Sequence, residues 1–319
     1  FFFKHKPAYE IPLRLVGSEM CIRDRLLVLL HLDQQHMQFF CLYQILNMNN
    51  YKDWIGKKIS RSDIITPRLV DHLKKTIDQK CLSNQSVPEG IFLCLRPDIA
   101  PLNDLDKDGN AKLGIFLPEL PYKIRMWAGG KIKKFHEFEI GSEIEKNSTI
   151  SSIEFKEGRS GNLCFVNINH EYINKNKLIV SEDQTAVYRE KINKNSITPK
   201  IKDELKLIDK VEIFSSSTLL FRYSALTFNG HKIHYDNDYT KNYEGHMGLL
   251  VHAPLQATYL LNLARKNEIE FNSFEYKATA PLVYNNNFFV EIGENRDDEI
   301  IGRILNEKQE ITMIAKYKK

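Results

Sequence analysis

The chain has 319 residues, of which 42% are hydrophobic and 11% aromatic, and its formal net charge is +4. This composition predicts a globular protein with a sizeable core and excludes a disordered chain. The 45 basic and 41 acidic residues are nearly balanced and scattered along the chain, so we expect no nucleic-acid partner.

The cysteine and histidine spacings argue against a structural metal site. The five cysteines form no CxxC pair, and none of the ten histidines belongs to an HExxH motif. We therefore predict a reducing, cytoplasmic location and no bound metal. No apolar run reaches membrane-spanning length, so we expect no membrane partner.

Residues 1–47 have the features of a leader that is foreign to the fold. An apolar run at residues 26–32 follows two arginines, but His31 interrupts it and no small-residue cleavage site follows. The preceding residues 13–25 resemble translated sequencing-adapter read-through. We expect the natural chain to start at Met48 and residues 1–47 to be non-native.

The next part of the chain predicts a first α+β domain at residues 48–189. A helix is expected at residues 66–77, with Thr66 as its N-cap and Pro67 at its first position. Turn formers at residues 157–162 indicate a hairpin. Strand-like runs lie at residues 91–95, 131–140, 148–156 and 163–170.

A charged and polar linker at residues 190–203 separates this domain from a second one at residues 204–319. In the second domain we predict a helix that begins at Pro254 and extends over residues 254–266. Strands are predicted at residues 217–227, 270–278, 287–294, 299–305 and 311–317.

An acidic turn at residues 104–109 matches the first half of a calcium loop. Such a loop needs a bidentate glutamate at its last position, which Ile115 occupies here. We therefore predict a simple polar turn.

The chemistry-bearing segment lies between the first strand and the helix of the second domain. Asn229, His231 and His234 fall within six residues, and histidine exchanges protons near neutral pH. The free backbone N–H groups at the start of the following helix can hold an oxyanion. This pairing suits the addition or elimination of water at a thioester. The two histidines have no acidic or cysteine partner in a recognisable metal-binding pattern.

Four motifs then identify a family. SALTFNGHKIHYD (residues 224–236) and EGHMGLLVHAPLQA (residues 244–257) resemble the C-terminal half of MaoC-like double-hotdog dehydratases, a group that includes mesaconyl-C4-CoA (3-methylfumaryl-CoA) hydratases. LPYKIRMWAGG (residues 120–130) and KEGRSGNLCFV (residues 156–166) resemble their N-terminal dehydratase-like domain. The likeness extends over residues 51–319.

The resemblance implies an α+β fold with two hotdog domains in tandem, each a curved antiparallel sheet around a long helix. It implies that residues 204–319 form the catalytic domain, that residues 48–189 are non-catalytic and shape the acyl pocket, and that two chains pair as a homodimer. An acyl-CoA thioester is the implied substrate, without a metal or another cofactor.

The family pattern Ser-Gly-Asp-x-Asn-Pro-Leu-His assigns roles to individual residues. His234 takes the position of the catalytic histidine, while Asn229 and His231 fall where Asp and Asn are expected. The resemblance thus implies that His234 exchanges a proton with the water and that Asn229 and His231 position it. The residues expected to bind substrate are Tyr223, Gly248, His252 and Ala253.

Three functions stay open at this point. The favoured one is a hydratase for a branched dicarboxyl thioester such as mesaconyl-C4-CoA, with Arg125 or Arg222 as a partner for the second carboxylate. The alternatives are a (3R)-hydroxyacyl-carrier-protein dehydratase and a non-catalytic acyl-thioester-binding module. Asn229 at the position of the usual aspartate is the best support for the last.

Overall fold

The structure is a computed structural model that describes residues 51–95, 99–122, 124–158, 161–190 and 204–319. The predicted leader, the start at Met48 and residues 191–203 of the predicted linker lie outside the described residues. Tyr51–Lys319 form one compact unit.

A single antiparallel sheet is the framework of this unit. Its strand order is β1-β3-β4-β5-β2-β7-β10-β9-β8-β6. The described strands are β1 (Lys58–Ile64), β2 (Ile124–Lys134), β3 (Glu143–Gly158), β4 (Gly161–Asn174), β5 (Lys177–Arg189), β6 (Lys206–Phe214), β7 (Ser273–Ala278), β8 (Asn287–Glu294), β9 (Ile300–Leu305) and β10 (Ile311–Lys318).

The first five strands occupy one half of the sheet and the last five the other. β2 and β7 join the halves over the register Gly129↔Lys277 to Lys133↔Ser273. The two predicted sheets are therefore continuous, edge to edge. The division into domains at residues 48–189 and 204–319 stays a prediction.

Four described α-helices accompany the sheet: α1 (Pro67–Thr76), α2 (Ser217–Thr227), α3 (Asn237–Asn242) and α4 (Ala253–Lys266). α4 is buried along its length from Pro254 to Ala264 and packs against β2 and β7–β10. A helix with small or apolar residues on most of its circumference is stable only inside such a layer. α1 is shorter, and it buries Val70 and Leu73. None of the described helices combines the length and apolar character that a membrane crossing requires.

Several sequence predictions are confirmed. The predicted helix at residues 66–77 is α1, with Pro67 at its first position and the Thr66 hydroxyl accepting the Leu69 N–H at 3.1 Å. The helix predicted to begin at Pro254 is α4, which starts one residue earlier. The hairpin predicted at residues 157–162 joins β3 to β4 through the pair Gly158↔Gly161. The strands predicted at residues 148–156, 163–170, 287–294, 299–305 and 311–317 are also present.

Two strand predictions are wrong. Residues 217–227 form helix α2, which Ser216 caps by accepting the Leu219 N–H at 3.1 Å. Residues 91–95 contain a 3₁₀ helix, Ile91–Cys94, that follows Gly90 in a left-handed conformation. Neither run has the apolar periodicity that separates helix from strand: the apolar Phe221 of α2 is 67% exposed, whereas Ile91, Phe92 and Cys94 are all buried. Local pattern could therefore not decide either case.

The boundaries of other strands also differ from the predictions. The run predicted at residues 131–140 is the end of β2, which stops at Lys134, and β7 begins three residues later than predicted. β1, β5 and β6 were not predicted; they are rich in polar residues, and β1 contains no buried residue.

Candidate active site

The chain between α2 and α3, residues 228–236, is called the histidine loop below. It begins at Phe228, whose left-handed conformation (φ 48°) ends α2. The Asn229 side-chain oxygen accepts the His231 N–H at 2.9 Å, and a 3₁₀ turn, Lys232–His234, follows. The Leu250 N–H donates to the Ile233 carbonyl at 2.9 Å, which fastens the loop to the segment before α4.

His234 is buried, and its hydrogen bond fixes the tautomer. Nδ1 lies 2.8 Å from the Leu250 carbonyl oxygen. Since a carbonyl can only accept, Nδ1 carries the proton and Nε2 presents a lone pair. Burial and then the charge of His231 lower the pKa of His234 to about 3. The ring is therefore neutral at physiological pH, which is the state of a general base.

His252 lies against this base. Its ring stacks on His234 with centroids 3.5 Å apart, and its Nε2 lies 2.9 Å from the Ser224 hydroxyl. Burial holds the pKa of His252 well below its usual range. The Tyr223 ring packs edge-on against His252 at 5.0 Å, and its hydroxyl is 3.5 Å from the Thr258 hydroxyl. The structure thus brings together three predicted site residues, because Tyr223 and His234 both pack against His252.

His231 points its Nε2 at two carboxylates. The Glu244 oxygen lies at 3.2 Å and the Asp108 oxygen at 3.9 Å. Burial raises the pKa of Glu244, but the bonds and charges of His231 and His246 outweigh it and lower that pKa to about 2. Because an ionised carboxylate only accepts, Nε2 of His231 carries the proton. The His231 and His234 rings meet edge-on at 5.7 Å.

Neither carboxylate was predicted as a site residue. Glu244 opens one of the four family motifs, so its position close to the histidine segment could have been a signal. Asp108 lies in the predicted polar turn, which the structure confirms through the Leu105↔Ala111 bridge. No local signal relates Asp108 to His231, because the contact is made through the tertiary fold.

The start of α4 lies next to the histidines. His252 is its N-cap residue, and Ala253 is its first helical residue. The N–H groups of Ala253 and Leu255 fall in the first turn, where a helix supplies no acceptor. They carry the positive end of the helix dipole. Gly248 lies in the segment that precedes this helix, beside Val283 and Tyr284.

The two arginines considered for a second carboxylate lie in different places. Arg125, on β2, has its Nε 3.7 Å from the Asp108 carboxylate that faces His231. Arg222 is exposed on α2 and donates to the Lys75 carbonyl at 3.1 Å. Arg125 is thus part of the polar cluster around His231.

The described residues contain no group of three His, Cys, Asp or Glu side chains placed to hold a metal ion. The described cysteines, Cys81, Cys94 and Cys164, are free and buried, and burial raises the pKa of each thiol to about 12. That the chain needs no metal or other cofactor stays a prediction.

Residues 91–284, more than half of the chain, match the family described as hydroxyacyl-thioester dehydratase type 2, and the chain belongs to this family. The matched range contains the histidine loop, Asp108, Glu244 and α4.

Two curated relatives are similar in sequence. The mesaconyl-C(4)-CoA hydratase of Chloroflexus aurantiacus is 38% identical over 185 residues, which cover 57% of this chain and 66% of that protein. The chain thus spans slightly under two thirds of that relative's length. The mitochondrial hydroxyacyl-thioester dehydratase type 2 of Schizosaccharomyces pombe is 24% identical over 280 residues, which cover 75% and 91%.

A solved structure, the MaoC-like dehydratase of Phytophthora capsici, superposes with a TM-score of 0.61 at 11% identity and covers 83% of this chain and 96% of that one. At this identity the likeness concerns the fold alone. It confirms the predicted α+β tandem hotdog.

Proposed function

We propose that the chain catalyses the reversible hydration of an enoyl thioester carried on coenzyme A. The observation that carries this proposal is the position of His234. Its Nδ1 is held by a carbonyl, its Nε2 presents a lone pair, and its ring stacks on the N-cap residue of α4. A neutral base therefore lies beside the open end of a buried helix, which is the combination that addition of water to an enoyl thioester requires.

In the hydration direction, Nε2 of His234 takes a proton from water as the water oxygen bonds to the β-carbon. The electron pair of the double bond moves to the thioester oxygen, where the N–H of Ala253 stabilises the enolate. The enolate then collapses and the α-carbon takes a proton, for which His234 is the donor once it is charged. Dehydration is the reverse sequence. Donors of this kind contribute about 3 to 4 kcal/mol each.

The remaining predicted residues support these steps. Asn229 shapes the loop, since its side-chain oxygen already accepts the His231 N–H. His231 lies beside His234 and orients the water, while Tyr223, Gly248 and His252 line the place for the acyl group. None of these roles requires a metal or another cofactor.

The substrate that we propose is a branched dicarboxyl thioester, with mesaconyl-C4-CoA as the best candidate. The similarity to the mesaconyl-C(4)-CoA hydratase of Chloroflexus aurantiacus supports it. Arg125 supports it as well, because this cation lies in the polar cluster around His231 whereas Arg222 is engaged elsewhere. We also propose that the chain forms a homodimer and is located in the cytoplasm.

A (3R)-hydroxyacyl-carrier-protein dehydratase is the second candidate within this chemistry, and the Schizosaccharomyces pombe relative supports a hydroxyacyl thioester as its substrate. A non-catalytic binding module is the candidate of another class. The neutral Asn229 favours it, whereas the fixed tautomer of His234 favours catalysis.

The experiment follows the enoyl-thioester absorbance of crotonyl-CoA and mesaconyl-C4-CoA with the wild-type chain and with His234→Ala. We expect wild type to consume the signal and His234→Ala to lose turnover about 10²-fold or more while staying folded by circular dichroism. His72→Ala, an exposed change on α1, is the control. Near-normal turnover of His234→Ala refutes the assignment of the base.

The same assay tests the substrate class. Arg125→Ala should raise KM for mesaconyl-C4-CoA and leave KM for crotonyl-CoA unchanged, because crotonyl lacks a second carboxylate. Arg222→Ala is the matched control and should change neither. A folded wild type that hydrates neither thioester points to a carrier-protein substrate, or to a binding role if it only binds them.

A further inference from the structure

The polar turn at residues 104–112, in the N-terminal half, packs against the histidine loop. The Lys232 N–H donates to the Asp108 carbonyl at 2.8 Å. A Cβ atom on Gly109 would overlap the Gly230 carbonyl oxygen, and one on Gly230 would lie 2.7 Å from the Gly109 oxygen. The two backbones thus meet at a distance that only glycine permits at both positions.

The carboxylate of Asp108 is held in place at this junction. Asn110 donates to both of its oxygens, from the backbone at 2.9 Å and from the side chain at 2.7 Å. Its side chain is 14% exposed, and Oδ2 lies 3.9 Å from Nε2 of His231. A charge that is held and partly buried in this way is screened less than one on the open surface.

The histidine loop itself supplies no carboxylate to His231. Asn229 is neutral and uses its side-chain oxygen for the His231 N–H. The two negative groups that face the His231 ring come from elsewhere: Glu244 from the segment after α3, and Asp108 from the other half of the chain.

We propose that Asp108 is a positioning residue of the active site and that, with Glu244, it orients His231 in place of the carboxylate missing at Asn229. The N-terminal half is then part of the catalytic machinery and not only a wall of the acyl pocket. This inference rests on the proposed hydratase function. Asp108 acts through His231: Glu244 holds the proton of Nε2 at 3.2 Å, and the Asp108 charge at 3.9 Å favours the same orientation of the ring.

Steady-state kinetics with crotonyl-CoA test this role, since that substrate removes any contribution of Arg125 to carboxylate binding. Asp108→Asn should lower kcat about 10-fold and leave KM within about 2-fold, because the residue holds a catalytic side chain and not the substrate. Asp108→Glu, which keeps the negative charge, should recover most of kcat.

Two controls separate charge from local structure. Asn110→Ala removes a side-chain hydrogen bond to Asp108 and leaves its carboxylate, and Asp106→Asn neutralises a neighbouring acid that accepts the Lys107 N–H. Asp106→Asn should keep kcat close to wild type. Asn110→Ala keeps the charge of Asp108 and the backbone hydrogen bond to it, so it should lose clearly less kcat than Asp108→Asn. If Asp108→Asn is as active as wild type, or loses no more kcat than Asn110→Ala, the inference is overturned.

Amide hydrogen exchange tests the contact between the polar turn and the histidine loop independently of turnover. Gly109 and Gly141 have nearly equal left-handed conformations, φ +88° and +89°, but an added Cβ meets the Gly230 carbonyl only at Gly109 and open space at Gly141. Gly109→Ala should therefore speed amide exchange in residues 229–236, and Gly141→Ala should not. Equal exchange in both variants refutes the junction.

Failure of the two proposals is distinguishable. A wild-type chain without hydratase activity refutes the proposed function. The exchange experiment then still tests whether the polar turn and the histidine loop are in contact. An active wild type with an equally active Asp108→Asn refutes only the role of Asp108.

Discussion

The imidazole of His234 stacks on that of His252, with ring planes inclined by 17°. A buried aromatic contact of this kind restricts rotation of both rings. Because His252 is also the N-cap residue of α4, the stack holds the proposed base in a fixed relation to the helix start.

The stack leads to a prediction about turnover. His252→Ala should lower kcat about 10-fold, since the His234 ring loses the surface that orients it. His252→Phe should recover part of the loss, because it restores an aromatic face. Ser224→Ala removes only the hydroxyl beside Nε2 and should have a smaller effect. If the Phe variant is as slow as the Ala variant, stacking does not account for the role of His252.

Glu182 gives a prediction about pH and stability. It is buried near the seam of the two halves, with the Tyr172 hydroxyl at 3.4 Å and the Tyr276 hydroxyl at 3.5 Å. Burial raises its pKa from an ordinary value of 4.5 to about 7. The folded state therefore holds this proton more tightly, so the contribution to stability is full below about pH 4.5 and is lost as pH rises through 7.

Glu182→Gln should remove this pH dependence and raise the free energy of unfolding at about pH 8 by roughly 2 to 3 kcal/mol. Urea unfolding at several pH values measures it. Asp183→Asn, an exposed change at the next position of β5, is the control. An unchanged pH profile in the Gln variant contradicts the assignment of the raised pKa to Glu182.

Asn262 gives a prediction about the core. From its buried position on α4, it accepts the Glu89 N–H at 3.1 Å and donates to the Glu89 carbonyl at 2.9 Å. Asn262→Leu keeps the branched shape of the side chain but leaves both backbone groups buried without a partner. We expect a loss of about 2 to 4 kcal/mol in urea unfolding. Asn287→Leu, on an exposed position of β8, should lose much less, and a similar loss at both sites would refute this explanation.

The N-cap of α1 gives a prediction that originates in the sequence. Thr66→Ala removes the hydroxyl that accepts the Leu69 N–H and should cost about 1 kcal/mol of stability. Thr66→Ser keeps the hydroxyl and should stay close to wild type. Thermal unfolding of the two variants, side by side, decides whether the cap contributes as expected.

Local sequence was sufficient to predict a helix or strand where the signal for it lies within a few neighbouring residues. The cap and proline of α1, the proline-led α4 and most strands of the second half carry such signals. The four motifs were sufficient for the family and hence for the fold class. Periodicity failed for α2, where the apolar Phe221 is exposed, and for Ile91–Cys94, where a continuous apolar run offers no polar face.

The sequence by itself thus determined the family, the tandem hotdog fold and the histidine segment that contains His234. Only the tertiary structure decided which groups meet there. The stack of His234 on His252, the Glu244 carboxylate and the approach of Asp108 across 123 positions of chain to His231 depend on how the two halves of the sheet pack. Side-chain contacts between distant segments are set by packing and burial, and no local pattern encodes them.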